Sequence, residues 1–198
     1  LAIHQKRTDA VPVLANQLIT ILDPLGMPNV RFNIEIKDTE SYHQNGKDEI
    51  QFLFSANPGQ PLAPLAEVAS GGEMSRFLLA LKTCLAAADP HVTLLFDEID
   101  TGVSGRVSGA MAELLRRLDG QRQVFCVTHQ PLVAAAADHH FRVSKAVEEG
   151  QTLTRVSHLR DTQAREAELA ELAGGDSGEA LSYAASLLDK TALPKGAA

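Results

Sequence analysis

The chain has 198 residues, of which 44% are hydrophobic and 22% charged, and its formal net charge is −7 at pH 7. This is the composition of a globular protein with one sizeable core. No apolar run has the length of a membrane span, and the first residues lack the basic-then-apolar order of a secretory signal. We therefore expect a cytoplasmic protein. Because binding of nucleic acid over a broad surface depends on clustered Lys and Arg, the acidic balance indicates that any DNA contact is local or is made elsewhere.

The first predicted element is a helix. Leu14, Leu18, Ile21 and Leu25 recur at intervals of four, three and four, which places them on one side of it. Pro12 is expected to kink or restart this helix. So short a seam favours a core helix, and the alternative is the end of a coiled-coil arm. Since the sequence opens without Met inside this helix, we expect a fragment of a longer protein.

The next two segments alternate between apolar and polar residues. The alternation covers residues 30–37 and returns at residues 50–54, on the far side of the turn dipeptide Asn45-Gly46. A period of two is typical of a strand with one solvent-exposed face, and Asn-Gly is a strong signal for a hairpin turn. The pattern predicts an antiparallel β hairpin.

From Ser70 onward, helices alternate with short apolar strands, which predicts an α/β fold with a mainly parallel sheet flanked by helices. Cys84 and Cys126 lie within apolar runs, so we expect buried, reduced thiols. The predicted helices cover residues 73–88, 105–119, 131–137, 164–173 and 178–189, and the predicted strands cover residues 92–97, 123–127, 139–145 and 152–157.

One predicted strand ends in two carboxylates. Residues 92–96 form an apolar run that leads directly into Asp97 and Glu98. In open α/β sheets, ligands bind in the crevice at the carboxyl ends of the strands. In nucleoside triphosphatases, a first carboxylate there holds Mg²⁺ and a second polarises the attacking water. Taken alone, the pair fits an acidic turn at a strand end equally well.

The sequence Ser70-Gly71-Gly72-Glu73 lies at the predicted start of a helix. Ser and Glu at this spacing fit a capping box, which is a common structural feature. The two glycines cost helix stability, and their gain is that backbone N–H groups can approach an anion at the positive end of the helix dipole. The glycines therefore favour a phosphate contact.

The strand at 124–127 is followed by Thr128-His129. If this strand neighbours the strand at 92–97, His129 and Glu98 leave the sheet at the same edge. The two side chains would then be close enough to contact the same phosphate and the same water. A single His after a strand is usually a packed or solvated residue. A third polar group at one crevice favours a functional role.

The order of these motifs resembles the ABC ATPase superfamily: a signature motif at 70–73, a Walker B strand, a D-loop at Asp100 and an H-loop at His129. Asp-Glu-Ile-Asp at 97–100 is similar to SMC-like proteins, whereas transporters usually carry Pro after Walker B. Segments at 57–59, 68–76, 96–105, 127–131 and 143–145 resemble the RecN family in particular, and the resemblance spans about residues 28–188. Two departures are Ala69 and Glu73, which replace the Leu and Gln of the common signature.

A P-loop is missing from the sequence. The one Gly-Lys pair, Gly46-Lys47, has Ser41 in place of the first glycine and Asp48 after the lysine. In SMC-like proteins the P-loop lies in an N-terminal lobe across a coiled coil. The resemblance therefore implies that residues 1–27 are the end of a coiled-coil helix and residues 28–190 the C-terminal lobe of the head. The sequence itself predicts a flexible tail at residues 191–198.

The resemblance also implies a site divided between two heads that sandwich ATP and Mg²⁺. Asp97 would bind the metal, Glu98 and His129 would be catalytic on their own head, and Asp100 would lie at the seam between heads. The residues expected to contact the nucleotide of the opposite head are Ser70, Gly71, Gly72 and Glu73.

We thus expect half of an ATPase head that works with an N-terminal P-loop lobe and a second identical head. ATP would close the heads and hydrolysis would open them, which would control DNA tethering in double-strand break repair and recombination at the nucleoid. The fragment alone is expected to hydrolyse no ATP. The alternatives are a chromosome-structuring SMC-type lobe and a non-catalytic, nucleotide-gated dimerisation scaffold. A transport subunit is disfavoured by the Asp-Glu-Ile-Asp sequence and the missing P-loop.

Overall fold

The computed structural model describes residues 2–44, 46–86, 92–97, 99–103, 105–119, 122–148, 151–175 and 177–191. These residues form a mixed α/β structure with two compact bodies. The first body contains Leu1–Val103 and Leu118–Val127, and the second contains Ser104–Arg117 and Thr128–Ala198. The predicted tail lies outside the described residues, apart from its first residue.

Helix α1 (Ala2–Leu22) opens the first body. It runs through Pro12 without interruption, so the expected restart at this residue is wrong. Leu18 and Leu22 are fully buried, and Leu25, just beyond the helix, is nearly so. The end of α1 is therefore a core helix, in agreement with the apolar spacing of this segment.

Strands β1 (Arg31–His43) and β2 (Gly46–Ser55) pair antiparallel, which confirms the predicted hairpin. The short strand β3 (Ala63–Pro64) pairs with β2 and leads into the one-turn helix α2 (Leu65–Val68). The buried face of the hairpin packs on α1 and on Phe77, whose ring centroid lies 5.2 Å from that of Phe32 and 6.1 Å from that of Phe54. This aromatic cluster fixes the next helix to the hairpin.

That next helix, α3 (Gly71–Ala86), carries Phe77 and precedes the parallel pair of strands β4 (Leu94–Asp97) and β5 (Val124–Val127). Helix α4 (Arg106–Asp119) lies between these two strands in the sequence, as a parallel connection requires. Lys82 ties α3 to β4, because its Nζ donates to the Leu95 carbonyl at 3.2 Å and lies 5.1 Å from the centre of the Phe96 ring. Helix α3, which begins with the Ser-Gly-Gly-Glu motif, and strand β4, which ends at Asp97, are thus packed against each other.

The second body is built around two helices, α6 (Thr162–Leu172) and α7 (Gly178–Thr191), and the short helix α5 (Pro131–Ala135). Its core consists largely of alanine and leucine, with Leu169, Ala170 and Ala184 fully buried. Asp161 caps α6 by accepting from the Ala164 N–H at 2.7 Å. Strands β6 (His140–Glu148) and β7 (Gln151–Leu159) form a hairpin, which Arg142 ties to Glu168 of α6 at 3.0 Å.

The α/β class is confirmed, with one difference in how its sheets are built. In the part of the chain that the structure describes, β4 and β5 are the parallel strands, and β6 and β7 pair antiparallel. Only two residues separate β6 from β7, whereas a parallel pair requires a crossover of a dozen residues or more. Across the described ranges, no helix has the length and apolar character needed to cross a membrane.

Candidate functional site

The strand β4 delivers Asp97 to a sheet edge. Leu94 and Phe96 are buried, whereas Asp97 at the end of the strand is exposed. Asp97 pairs in register with Val127, the last residue of β5, so both strands end at the same level. The other half of the predicted carboxylate pair, Glu98, lies outside the described residues. The sequence-based placement of Asp97 in a crevice position is therefore consistent with the strand geometry.

A tight turn follows β4. Ile99 and Asp100 are buried, and the Val103 N–H donates to the Asp100 carbonyl at 3.3 Å. Gly102 has a φ of 72°, a left-handed conformation that glycine adopts without strain. The predicted D-loop residue Asp100 is thus held inside the first body, while Thr101 and Gly102 face outward.

The thiol of Cys126, on β5, responds to the carboxylates at this edge. Burial, followed by the negative charges of Asp100 and Asp97, raises its pKa to about 12. The Cys126 thiol therefore stays protonated at neutral pH; it is a free cysteine and only partly buried, where the sequence predicts a buried, reduced thiol. Asp97 and Asp100 bring two carboxylates to this end of β4, and negative charge there suits a bound cation.

The start of α3 forms the predicted capping box. The Glu73 carboxylate accepts hydrogen bonds from the Ser70 N–H and the Ser70 hydroxyl, both at 2.8 Å, and the Glu73 N–H lies 3.4 Å from Ser70 Oγ. These bonds satisfy N–H groups that would otherwise lack partners at the helix start. Ser70 and Glu73 therefore act together in this conformation.

The two glycines at this helix start have different surroundings. A Cβ atom at Gly71 would meet nothing within 4 Å. A Cβ atom at Gly72 would lie 2.9 Å from the Thr101 carbonyl oxygen and 3.4 Å from Arg76 Nη1. The structure thus brings the predicted signature motif against the turn that contains the predicted D-loop, and Gly72 makes this approach possible.

Arg76 was not among the residues selected from the sequence. It is partly buried, and its Nε has no hydrogen-bond partner among the described residues. Burial lowers the pKa of its guanidinium, and the nearby Glu73 carboxylate acts in the opposite direction. The spacing of four residues from Gly72 was the available signal, because side chains at i and i+4 share a helix face.

His129 lies in the second body, two residues after β5. Its Nε2 is 3.4 Å from the side-chain nitrogen of Gln130. Gln130 in turn accepts from the buried hydroxyl of Ser108 on α4, at 3.4 Å, and its N–H donates to Thr128 Oγ1 at 3.0 Å. The segment at 128–130 is therefore held by a hydrogen bond from α4. The joint site of His129 and Glu98 stays a prediction.

A second charged cluster joins α1 to the β1–β2 hairpin. Asp48 accepts a hydrogen bond from Arg7 Nη1 at 2.6 Å and lies 2.7 Å from His4 Nδ1, and its side chain is only 4% exposed. These two hydrogen bonds, with His4 first, lower the pKa of Asp48. The ligand atoms of His4, Asp38 and Asp48 lie within 4.8 Å of one another, as a metal site requires, but Arg7 already neutralises Asp48.

Comparison with curated proteins places this geometry in context. The chain is 45% identical over 200 residues to the DNA repair protein RecN of Synechocystis sp., an alignment that covers 93% of this chain and 34% of that protein. It is 40% identical to the RecN protein of Deinococcus radiodurans over 94% of this chain and 33% of that protein. The chain therefore spans about a third of the length of these relatives. No family model matches the chain.

Solved structures share the fold. A chain from work on ATP-driven dimerization and DNA-stimulated activation of SMC ATPases superposes with a TM-score of 0.54 at 17% identity, covering 98% of this chain and 99% of that chain. The Smc head domain with a coiled coil and joint from Pyrococcus yayanosii gives 0.55 at 18% identity, covering 89% of this chain and 28% of that chain. The architecture is that of SMC head domains.

Proposed function

This chain belongs to the RecN family of DNA repair proteins, and we propose that it forms the C-terminal lobe of an SMC-like ATPase head. The observation that carries the proposal is the contact between two motifs that lie far apart in the sequence. The start of α3 with its two glycines lies against the turn that follows the Asp97-bearing strand, with the Gly72 Cβ position 2.9 Å from Thr101 O. A capping box alone does not account for this arrangement.

In the proposed head, each motif has a separate task. Asp97 would hold Mg²⁺, Glu98 would activate the attacking water and His129 would contact the reacting phosphate, each for the nucleotide of its own head. Residues 70–73 contact the nucleotide bound to the opposite head through the N–H groups and dipole of the α3 start. Asp100 would lie at the seam between the two heads, with its own side chain buried and the exposed Thr101 and Gly102 beside it facing the partner.

The residues present fit such a ligand. Asp97 and Asp100 generate a negative potential that raises the Cys126 pKa, and this potential favours a divalent cation at the strand end. The space around Gly71 is open to 4 Å, which leaves the helix start accessible to an anion. When bound, Mg²⁺ supplies charge neutralisation for the transferred phosphoryl group.

Exposed apolar side chains support the need for a second lobe. On the parallel pair, Leu95, Phe125 and Val127 are 59%, 46% and 55% exposed. On the β6–β7 hairpin, Val143 and Val156 are cross-strand partners, and both are about two-thirds exposed. Apolar groups of this size are usually covered in a complete protein. A P-loop lobe, contributed by the part of the family's sequence beyond this chain, is the partner we propose.

At the level of the whole protein, we propose that ATP closes two identical heads and that hydrolysis opens them. This cycle would control the tethering of DNA during double-strand break repair and recombination, in the cytoplasm at the nucleoid. The relatives' designation as DNA repair proteins supports this role. With its net charge of −7, this lobe is expected to contribute little to the DNA contact itself.

The proposal is tested by reconstitution. The chain alone is expected to hydrolyse no ATP, and addition of a P-loop lobe from the same protein should produce Mg²⁺-dependent turnover, because the phosphates then have their cradle. Phosphate release is measured for the chain, the lobe and the mixture. A P-loop lobe whose lysine is replaced by alanine is the matched control. Robust hydrolysis by the chain alone would contradict the divided head.

A second test concerns the water-activating carboxylate. In the reconstituted head, Glu98→Gln should leave nucleotide affinity within about threefold, lower kcat by at least about 100-fold and increase the fraction of dimeric heads, since a bound nucleotide is no longer consumed. Single-turnover hydrolysis and light scattering measure these effects. Normal turnover in this variant would refute the assignment, and a wild-type head that binds but never cleaves ATP would indicate a scaffold.

A further inference from the structure

Two groups lie close to the position that a Cβ atom of Gly72 would take: the Thr101 carbonyl oxygen and Arg76 Nη1. We propose that Arg76 is a positioning residue that holds the turn at 99–102 against the start of α3, and so sets the Asp97 end of β4 in its own head. This inference rests on the proposed ATPase function and adds a residue to it. Arg76 would act through the turn and would not touch the nucleotide.

The contact leaves little freedom. A methyl group at Gly72 would lie 2.9 Å from a backbone oxygen, closer than Cβ atoms approach other atoms, so the turn and the helix are in direct contact. The turn is also short: β4 ends at Asp97, and the Asp100 carbonyl is already bonded to the Val103 N–H. Asp97 and Thr101 are four residues apart in the sequence, so we expect a shift of Thr101 to reach Asp97.

Arg76 has the chemistry to hold this turn. Its Nη1 lies 3.4 Å from the Gly72 Cβ position, on the side of the helix that faces the Thr101 carbonyl, and Nε has no hydrogen-bond partner in the described ranges. A guanidinium is a rigid fork of N–H donors, and carbonyl oxygens carry partial negative charge. The positive group therefore favours a turn that keeps its carbonyl directed at the helix start.

The same helix contacts β4 a second time, at Lys82, which donates to the Leu95 carbonyl at 3.2 Å. Helix α3 thus contacts β4 and the turn that follows it at two points. One is Gly72, close to the helix start, and the other is Lys82, further along the helix. Lys82 contacts the middle of β4, whereas Arg76 is the side chain of α3 that lies beside the turn itself. Arg76 is consequently the residue that links the helix start with the catalytic edge.

The test uses complete heads, in which this chain is joined to its P-loop lobe, mixed as heterodimers. In the reference dimer, one head carries Glu98→Gln, so only the nucleotide on the other head is hydrolysed. Arg76→Gln is then placed either on the active head or on the Glu98→Gln head. We expect kcat to fall about tenfold with KM within about twofold when Arg76→Gln is on the active head, and to equal the reference when it is on the inactive head.

The reverse pattern would overturn the proposal, because it would mean that Arg76 contacts the nucleotide of the opposite head. Equal loss in both arrangements, or in neither, would overturn it as well. Arg76→Lys keeps the charge and should recover part of the lost kcat, which a defect in folding would not allow; thermal unfolding of each head checks this. If the reference dimer itself hydrolyses no ATP, the proposed function fails and not this contact.

Discussion

At the scale of single residues, the two glycines of the α3 start show what the sequence can and cannot reveal. The spacing of Ser70 and Glu73 predicted a capping box, and the hydrogen bonds at 2.8 Å confirm it. Nothing in the sequence distinguishes Gly71 from Gly72, since the neighbour of Gly72 is Thr101, which is distant along the chain. Such a contact depends on packing, and Arg76 was missed for the same reason.

This difference predicts opposite effects on stability. Gly72→Ala should lower the free energy of unfolding by about 1–3 kcal/mol, because its methyl group meets the Thr101 backbone. Gly71→Ala should raise it by up to about 1 kcal/mol, because alanine restricts the unfolded chain and meets nothing within 4 Å. Urea unfolding of both variants, at equal protein concentration, measures the difference. Equal effects of the two substitutions would contradict the close contact.

At the scale of elements, local patterns predicted the hairpin and the helices, and contacts between elements escaped prediction. The alternation at 30–37 and 50–54 was sufficient for β1 and β2, because a strand with one buried face repeats every second residue. Asp48 makes two hydrogen bonds to α1, with His4 and Arg7, which precede it by 44 and 41 residues in the sequence. No local sequence pattern predicts contacts over this distance. It also offsets a cost, since Asp38 and Asp48 face each other as like charges across the hairpin.

This cluster predicts a pH dependence. The hydrogen bonds from His4 and Arg7 lower the Asp48 pKa in the folded state, so the unfolded chain takes up the proton first as pH falls. The stability contributed by Asp48 is therefore complete above its unfolded pKa of about 3.9 and is lost as pH falls through the lower, folded value. Asp48→Asn should be less stable than the wild type at pH 7, and the gap should narrow as the pH falls from about 5 to about 2.

Urea midpoints across this pH range measure the gap, with Glu40→Gln as the matched control. Glu40 is exposed and lies on the same hairpin, and it takes part in no ion pair within the described ranges. The control should follow the wild type throughout. A gap between wild type and Asp48→Asn that stays constant with pH would show that the Asp48 carboxylate does not carry the effect, even though His4, Arg7 and Asp38 surround it.

At the scale of the whole molecule, the sequence predicted the α/β class better than the arrangement of the strands. The strands at 139–145 and 152–157 were expected to join a mainly parallel sheet, and they form the antiparallel β6–β7 hairpin. Apolar alternation predicts a strand, and the length of the connection decides its direction. The joint site of Glu98 and His129 remains a prediction, because Glu98 lies outside the described residues.

The capping box at Ser70 also bears on affinity. Glu73 already occupies two donors at the start of α3, the N–H and the hydroxyl of Ser70, so this helix start carries an anion of its own. A phosphate that uses those donors must displace the Glu73 carboxylate and overcome its charge. In the proposed head, nucleotide binding here would exchange one anion for another. The Glu73 carboxylate would then set how strongly the opposite head's nucleotide must bind before the two heads engage.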